Sequence, residues 1–264
     1  GSVQGGRMIQ QSIAKRALND QLTSPFIESS LELGSNDACY IAEDADLEQA
    51  VLSSAWNSVF IAGAVALLVM MVASVMGIVA AFDGNALLRR VTAVASIGYA
   101  FPGTILAIGV VTAGGAIDSG IAALLRQALG LSHEGWLTGG VGLVIIACVV
   151  RFQAVGYGAV TSGLERLPPN MMGASRTLGR TFGASLVTVI LPLTRMSFLA
   201  GALLVFVDVM KELPMTLLLR PFNFETLATY VYQFAKDELL EEAALPALAI
   251  VLNGIIPVIF MNAT

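Results

Sequence analysis

Charge is scarce in this sequence, and its scarcity argues against an ordinary soluble domain. Only 12% of the 264 residues are charged, whereas soluble domains carry about 25%. Apolar residues make up 56% of the chain, and its mean hydropathy is +0.79. A chain of this size cannot enclose so much apolar surface in one water-soluble core. We therefore expect a membrane protein, and a soluble all-α protein is the alternative.

Residues that bind metals or nucleic acids are also few. His133 is the only histidine, which excludes a histidine-based metal cluster. Cys39 stands in a polar setting and Cys148 in an apolar run, so we interpret them as free thiols rather than a disulfide or a metal site. No basic stripe or aromatic-interleaved basic patch is present, and we expect no nucleic acid partner.

The first 54 residues are mixed in polarity and differ from the rest of the chain. They show no signal peptide, and the sequence opens without an initiator methionine. We expect residues 1–54 to be a polar linker outside the membrane and residues 55–264 to be a transmembrane domain. Either a membrane helix upstream is missing from the chain, or the polar segment crosses the membrane in some other way.

Five apolar stretches are long enough to span a bilayer as helices, which takes about 20 residues. They are residues 56–82, 92–114, 136–157, 192–213 and 243–261. Arginines lie between the first and second stretches and flank or fill the gap between the third and fourth, so the positive-inside rule places residues 83–91 and 158–191 in the cytoplasm. These arginines are Arg89, Arg90, Arg151, Arg166, Arg176, Arg180 and Arg195. We predict an all-α polytopic membrane protein with about five transmembrane helices, its N-terminus outside and its C-terminus inside.

The longest predicted cytoplasmic segment, residues 158–192, has the pattern of a short helix between two spans. A pair of prolines ends one helical segment, and Asn170 can cap the next. The pattern predicts an amphipathic helix over 171–178 that Gly179 ends, then a second helix that enters the membrane at Pro192. Such a helix can dock in a groove of a cytoplasmic partner, or it can lie on lipid as an ordinary interfacial helix.

This segment resembles the coupling motif of ABC importer permeases: Glu-Ala-Ala, three residues, Gly, nine residues, Ile, one residue, Leu-Pro. Gly179 matches the central glycine, Leu191 and Pro192 match the closing pair, and Val189 stands at the isoleucine. Gly173 stands where the glutamate would be, so any salt bridge of that glutamate is absent. The resemblance implies docking to an ATPase through Gly173, Ala174, Ser175, Arg176, Gly179, Leu191 and Pro192.

Other segments look like the ferric iron permeases of bacteria in particular, and the similarity covers roughly residues 55–262. These segments are Tyr99–Thr104, Gly163–Pro169, Asp208–Pro214, Leu217–Phe222 and Leu240–Pro246. The resemblance implies the C-terminal half of a two-half permease in the bacterial inner membrane. Sulfate, thiamine, phosphonate and polyamine importers share this architecture and remain alternative assignments.

The partners that the resemblance implies are a periplasmic binding protein that delivers Fe³⁺, a second permease half (fused or separate) and a cytoplasmic ABC ATPase dimer. The ATPase would drive alternating access. The chain lacks the phosphate-binding sequence Gly-x-x-x-x-Gly-Lys-[Ser/Thr], so ATP and Mg²⁺ would be used by the ATPase. We expect no cofactor bound by this chain and no enzyme activity in it.

Three charged residues end the fourth apolar stretch. Asp208 and Glu212 are four residues apart, which predicts that they share a helix face, and Lys211 can pair with Asp208. Pro214 favours a helix break. Inside the bilayer, such a break is tolerated only where it is buried in protein or lines a cavity. Carboxylates suit a hard cation, so one hypothesis makes Asp208 or Glu212 a transient ligand on the ion path, with no stable metal site. The alternative is an ion pair with Lys211 that pins the break.

Weaker signals lie elsewhere in the chain. Tyr99 and Pro102 predict a kink in the second span, where a freed carbonyl would face the pathway. The residues Arg220 to Phe222 and Glu225 would lie on the outer side, either on the surface that meets the binding protein or in an ordinary loop. An ion-coupled secondary transporter would need ionisable residues spread over several spans, and a membrane-embedded enzyme would need a catalytic constellation. Both are less well supported by the sequence.

Overall fold

The computed structural model describes residues 47–82, 90, 92, 96–129, 140–238 and 240–263. The chain divides into two units, Gly1–Leu47 and Glu48–Thr264, and nearly all described residues belong to the second. The predictions for residues 1–46, and with them that for Cys39, lie outside the described residues, as do those for Arg89 and His133.

The described part of the chain is all helical and contains no strand, which confirms the predicted fold class. The helices are α1 (Leu47–Phe82), a 3-10 turn (Ser96–Ala100), α2 (Gly103–Leu129), α3 (Gly142–Glu165), α4 (Met171–Thr177), α5 (Phe182–Met210, π-helical over Leu186–Ile190), α6 (Pro214–Leu219), α7 (Leu227–Lys236) and α8 (Leu240–Ala263). Helix α3 is central, because it contacts the 3-10 turn, α2, α5 and α6.

Four helices of the described residues are long and apolar enough to cross a membrane, namely α1, α2, α3 and α5. The fifth predicted span falls on α8, which is 24 residues long and has a described apolar stretch over Ala243–Leu252. Three predicted boundaries were wrong. Helix α1 begins inside the segment that we expected to be a linker, α2 begins eleven residues late, and α3 continues to Glu165. Helical hydrogen bonding does not stop where the apolar residues stop, so hydropathy locates the middle of a span better than its ends.

Glycines let the long helices approach each other closely. A Cβ on Gly156 of α3 would lie 2.5 Å from Val69 Cγ1 of α1, and one on Gly201 of α5 would lie 2.6 Å from Ala159 Cβ of α3. Small residues at such crossings are the usual means of packing helices in lipid, where the hydrophobic effect does not hold helices together. The buried core here includes Ile61, Val65, Val69, Val144, Cys148, Phe152, Val205 and Met215.

A second group of buried side chains, which we call the lower cluster, lies at the ends of the helices that we predict to be cytoplasmic. The lower cluster consists of Ala73, Val160, Leu164, Met172 and Ile190. It joins α1, α3, α4 and α5. The ring of Phe82, the last residue of α1, also contacts the ring of Phe182, the first of α5, edge to face with centroids 5.9 Å apart. The short helix α4 therefore sits on a packed base formed by three long helices.

Candidate functional site

Helix α4 is attached to the membrane-spanning helices through its inner face. The side chain of Met172 is buried in the lower cluster, and Ser175 Oγ lies 2.8 Å from Ser185 Oγ in a buried hydrogen bond to the start of α5. Asn170 precedes the helix as predicted, but its side chain makes no capping hydrogen bond. Its backbone carbonyl accepts from the Ala174 amide instead. The position of Asn170 was thus predicted correctly, whereas its capping role was wrong.

The end of α4 is built around Gly179, as the sequence predicts. The Gly179 backbone has φ +83°, a left-handed conformation that glycine adopts without cost. Its amide donates to the Arg176 carbonyl at 3.0 Å, and the Arg180 amide donates to the Ser175 carbonyl at 3.3 Å. This pair of bonds is a Schellman motif, which satisfies carbonyls that a helix end leaves without partners. The chain direction after α4 is therefore fixed by one glycine.

The outer face of α4 is open. The predicted docking residues Gly173, Ala174, Arg176 and Gly179 are exposed, whereas Ser175 is buried. Leu178 follows the helix and is 83% exposed. Helix α4 therefore has one face packed on the protein and one face exposed. The structure brings the predicted docking residues of α4 together on one element, and whether they bind an ATPase stays a prediction.

The remaining predicted docking residues, Leu191 and Pro192, lie in the first turns of α5. The Thr181 side chain accepts from the Ala184 amide and caps the helix. The helix is π-helical over Leu186–Ile190 and then continues through Leu191, which is half-buried, and Pro192, which is exposed. Proline lacks an N–H, and its ring crowds the carbonyl four residues earlier, so a wider turn just before it relieves that crowding. The sequence predicted a helix entering at Pro192 but not the π turn.

The Ser175–Ser185 hydrogen bond gives a direct test of how α4 is attached. Ser175→Ala leaves the buried Ser185 hydroxyl without its partner, and we expect a loss of about 1–3 kcal/mol in the free energy of unfolding. The double variant S175A/S185A removes both polar groups and should be less destabilised than the single variant. Thermal unfolding in detergent measures both, with the exposed Ser162→Ala as control. A loss in the double variant equal to the sum of the S175A and S185A losses would contradict the pairing.

The second predicted site surrounds the break after α5. The helix ends at Met210, and α6 begins at Pro214, so the break predicted from Pro214 is confirmed. Lys211 Nζ lies 2.9 Å from Asp208 Oδ1, as predicted. The hydrogen bond to Asp208 and the negative charge of that same carboxylate raise the pKa of Lys211 above its ordinary value. The prediction that Glu212 shares a helix face with Asp208 was wrong, because the helix stops two residues before Glu212.

Glu212 turns into the protein and meets an arginine of α3. Its side chain is 8% exposed, and Glu212 Oε2 lies 3.6 Å from Arg151 Nε. Arg151 Nη1 also donates to the Phe101 carbonyl at 3.3 Å, and Glu212 Oε1 accepts from the Met215 amide of α6 at 3.4 Å. A Cβ on Gly103 would lie 2.7 Å from Arg151 Nη1 and 3.0 Å from Glu212 Oε1, so a larger residue there would displace the ends of both side chains. We call Arg151, Glu212 and the Phe101 carbonyl the junction.

The junction connects two helix breaks that are far apart in sequence. One is the break at Tyr99 and Pro102, predicted as a kink and found as a 3-10 turn followed by a new helix. The other is the break before Pro214. The carbonyl freed at the first break accepts a hydrogen bond from Arg151, and the amide of Met215 at the start of α6 donates to Glu212. Backbone groups freed at membrane depth need such protein partners.

Sequence reasoning missed the role of Arg151. It was counted among the arginines that flank cytoplasmic loops, but it lies near the middle of α3 with a side chain only 20% exposed. The available signal was a charged residue inside an apolar run, which normally indicates a buried partner. The partner itself, Glu212, is 61 residues away along the chain and was not predictable from spacing.

The carboxylates proposed as transient metal ligands are each paired with a cation, Asp208 with Lys211 and Glu212 with Arg151. No group of three His, Cys, Asp or Glu side chains within the described ranges is placed to hold a metal ion. The two carboxylates belong to separate ion pairs and do not converge on one point. A cation passing this region would therefore have to displace Lys211 or Arg151 from its carboxylate.

The loop after α6 is held at its base by side-chain bonds. Arg220 pairs with Glu225, and the other Glu225 oxygen accepts from Thr229 Oγ1 at 2.7 Å. The Asn57 amide of α1 donates to the Glu225 carbonyl at 2.9 Å, which ties the loop to the first long helix. Phe222 lies at the tip and is 83% exposed. The predicted outer residues are thus organised as one loop, and contact with a binding protein stays a prediction.

Comparison with known families yields one match. A model described as the aldehyde dehydrogenase family matches residues 1–95, which is well under half of the chain. Within that range the structure describes chiefly α1, an apolar helix long enough to cross a membrane. No curated protein matches the chain significantly.

Solved structures match over most of the chain. An inward-facing conformation of the MetNI methionine ABC transporter aligns with a TM-score of 0.61 and 14% identity, over 84% of this chain and 99% of that chain. A bacterial alginate ABC transporter in complex with a pentasaccharide-bound periplasmic protein aligns with a TM-score of 0.58 and 13% identity, over 83% and 77%. A bacterial ABC transporter involved in the import of the acidic polysaccharide alginate aligns with a TM-score of 0.55 and 13% identity, over 83% of this chain and 79% of that chain. The chain therefore has the fold of chains found in ABC transporters.

Proposed function

We propose that this chain is the membrane-spanning permease subunit of a binding-protein-dependent ABC importer in the bacterial inner membrane. The observation that carries the proposal is the position of α4. This short helix lies between two membrane-length helices, is buried on one face and exposed on the other, and ends at the glycine that matches the coupling motif. The fold shared with chains of methionine and alginate ABC transporters supports it.

The packing of α4 suits the transmission of force. An ATPase that closes on ATP would push the exposed face of α4. Because Met172 and Ser175 fix the opposite face to the lower cluster and to α5, α4 cannot move without moving these neighbours. The displacement would reach α3 and α5 and change access to a pathway formed with a second permease half. ATP and Mg²⁺ belong to the ATPase in this scheme, and the chain itself is a transport subunit.

For the substrate, we propose ferric iron delivered by a periplasmic binding protein. The proposal rests on the sequence resemblance around Asp208–Pro214 and Leu217–Phe222. Asp208 is the better candidate for a transient contact, because its partner Lys211 is largely exposed and can move away. Glu212 is buried and held by Arg151. Another small solute, such as sulfate, thiamine, phosphonate or a polyamine, is the alternative substrate class.

The test of the importer assignment is reconstitution in vesicles with the ATPase that accompanies the chain and with a periplasmic binding protein. We expect ⁵⁵Fe uptake that requires both ATP and the binding protein. Failure of any ATPase to associate with the chain, or labelling of a cysteine at Arg176 from the periplasmic side, would contradict the assignment. ATP-driven uptake of a different solute would keep the permease and replace iron.

Asp208→Asn separates a transport role from a structural one. The pair with Lys211 is partly exposed, and exposed ion pairs contribute only about 0–1 kcal/mol, so the folded yield should stay normal. If Asp208 contacts the cation, we expect iron uptake to fall about tenfold, as for the loss of one charge-assisted contact. Asp237→Asn, at an exposed residue following α7, is the control. Normal uptake by the Asp208 variant would remove this residue from the pathway.

A further inference from the structure

The segment between α3 and Asp208 of α5, which contains α4, carries charge of one sign. Between Glu165 and Asp208 the sequence contains no acidic residue. The basic residues in this interval are Arg166, Arg176, Arg180 and Arg195, and all four are exposed. No ion pair among the described residues involves Arg176 or Arg180. Arg180 instead donates to the neutral hydroxyl of Thr188, which orients its guanidinium without cancelling the charge.

One large apolar side chain stands between these two arginines. Leu178 is 83% exposed although it belongs to an ordered helix end whose direction Gly179 fixes. An exposed leucine alone would mean little, because single apolar residues are common on protein surfaces. Its position between Arg176 and Arg180, on backbone held by the Schellman bonds, makes a small apolar projection flanked by two positive charges.

We infer that the ATPase surface receiving α4 is acidic, with carboxylates opposite Arg176 and Arg180 and an apolar pocket for Leu178. This inference rests on the proposed function. The coupling motif ordinarily places a glutamate where Gly173 stands here, so the usual negative charge is missing, and the charges that remain on α4 and just after it are positive. Complementary charge speeds encounter and excludes wrong partners, and a central apolar anchor slows dissociation.

A membrane surface rich in anionic lipid is the competing occupant, since it also attracts arginines. The composition of α4 argues against it. A helix that lies in the interface needs a broad apolar face, but the exposed residues of α4 are small or polar: Gly173, Ala174, Arg176 and Thr177. Its two methionines are buried or half-buried in the protein and are not free to enter lipid. A fluid surface also gains nothing from the fixed geometry that Gly179 imposes.

The test measures association of the purified chain with its ATPase at increasing NaCl concentration. We expect the charge reversal R176E/R180E to weaken association about tenfold or more at low salt and to remove most of the salt dependence. R176K/R180K, which keeps the charge, should retain most of the affinity. Leu178→Ala should weaken association mainly by faster dissociation, with the salt dependence kept. Thermal unfolding of each variant shows that the membrane domain is intact.

The outcomes that overturn the inference differ from those that overturn the proposed function. Unchanged ATPase association in R176E/R180E would show that the ATPase surface is not acidic. Unchanged ATPase association together with lost binding to vesicles of phosphatidylglycerol and phosphatidylethanolamine would assign the arginines to lipid. Absence of ATPase association already in the unaltered chain would refute the importer assignment itself. Cross-linking from position 176 can identify the ATPase carboxylate that lies opposite it. Restored association of R176E/R180E with an ATPase in which that carboxylate is replaced by lysine would support the inference most directly.

Discussion

Removing either partner of the Arg151–Glu212 pair will destabilise the membrane domain by about 3–5 kcal/mol, because the partner left behind is a charge buried without compensation. Glu212 is only 8% exposed, and Arg151 is largely buried near the middle of α3. Arg151→Met also leaves the Phe101 carbonyl without its donor, and Glu212→Gln weakens the acceptor of the Met215 amide. We expect low folded yield and a lower unfolding temperature in detergent for both variants.

The double variant R151M/E212L tests whether the two side chains form a pair. It removes both charges at once, so it should be more stable than either single variant, which requires an interaction energy above about 3 kcal/mol in the double-mutant cycle of R151M, E212L and R151M/E212L. Neutralising the exposed pair in D208N/K211M should cost no more than about 1 kcal/mol and serves as the matched control. A loss in R151M/E212L equal to the sum of the R151M and E212L losses would show that the two side chains do not form a pair.

The same variants separate structure from transport. If E212Q folds with normal yield and stability but imports nothing, Glu212 contacts the substrate and the structural reading of the junction is wrong. If R151M/E212L folds and still imports, the junction serves only to hold the two helix breaks together. Measuring folded yield before uptake keeps these outcomes apart, because a permease that does not fold cannot import.

The sequence predicted what depends on local pattern. Apolar runs located the long helices, since a bilayer demands about 20 consecutive apolar residues. Gly179 predicted the end of α4, because a left-handed helix end favours glycine over other residues. Pro214 predicted the break between α5 and α6, because proline cannot continue helical hydrogen bonding. In each case one physical constraint acts within a few residues of the signal.

The features that the sequence did not predict depend on where a helix ends and on which helices pack against each other. Asp208 and Glu212 could share a helix face only if the helix continued through Glu212, but it ends at Met210. The pairing of Arg151 with Glu212 required knowing that α3 passes beside the break after α5. Asn170 had the right position for a cap but the wrong side-chain geometry. Periodicity describes a helix that continues, and it contains no information on tertiary neighbours.

The coupling role that we propose for α4 predicts a large effect from a single backbone change. Gly179 has φ +83° and no atom within 4 Å of an added Cβ, so a substitution there strains the backbone without any clash. For a β-branched residue a left-handed conformation costs more than the roughly 1–2 kcal/mol of an ordinary residue. Gly179→Val should therefore depopulate the docking geometry, and the apparent affinity for the ATPase should fall about tenfold or more.

Two glycine variants separate the strain from the added bulk. Gly183 also has open space around its Cβ position, but it lies in regular helix at the start of α5. Gly183→Val should keep ATPase association and uptake near those of the unaltered chain. Gly179→Asn should keep most of both, because asparagine tolerates the left-handed region better than other residues. If all three variants bind the ATPase equally, the geometry of this helix end does not set coupling. If only Gly179→Val fails while its long helices unfold at the normal temperature, force enters the membrane domain through the end of α4.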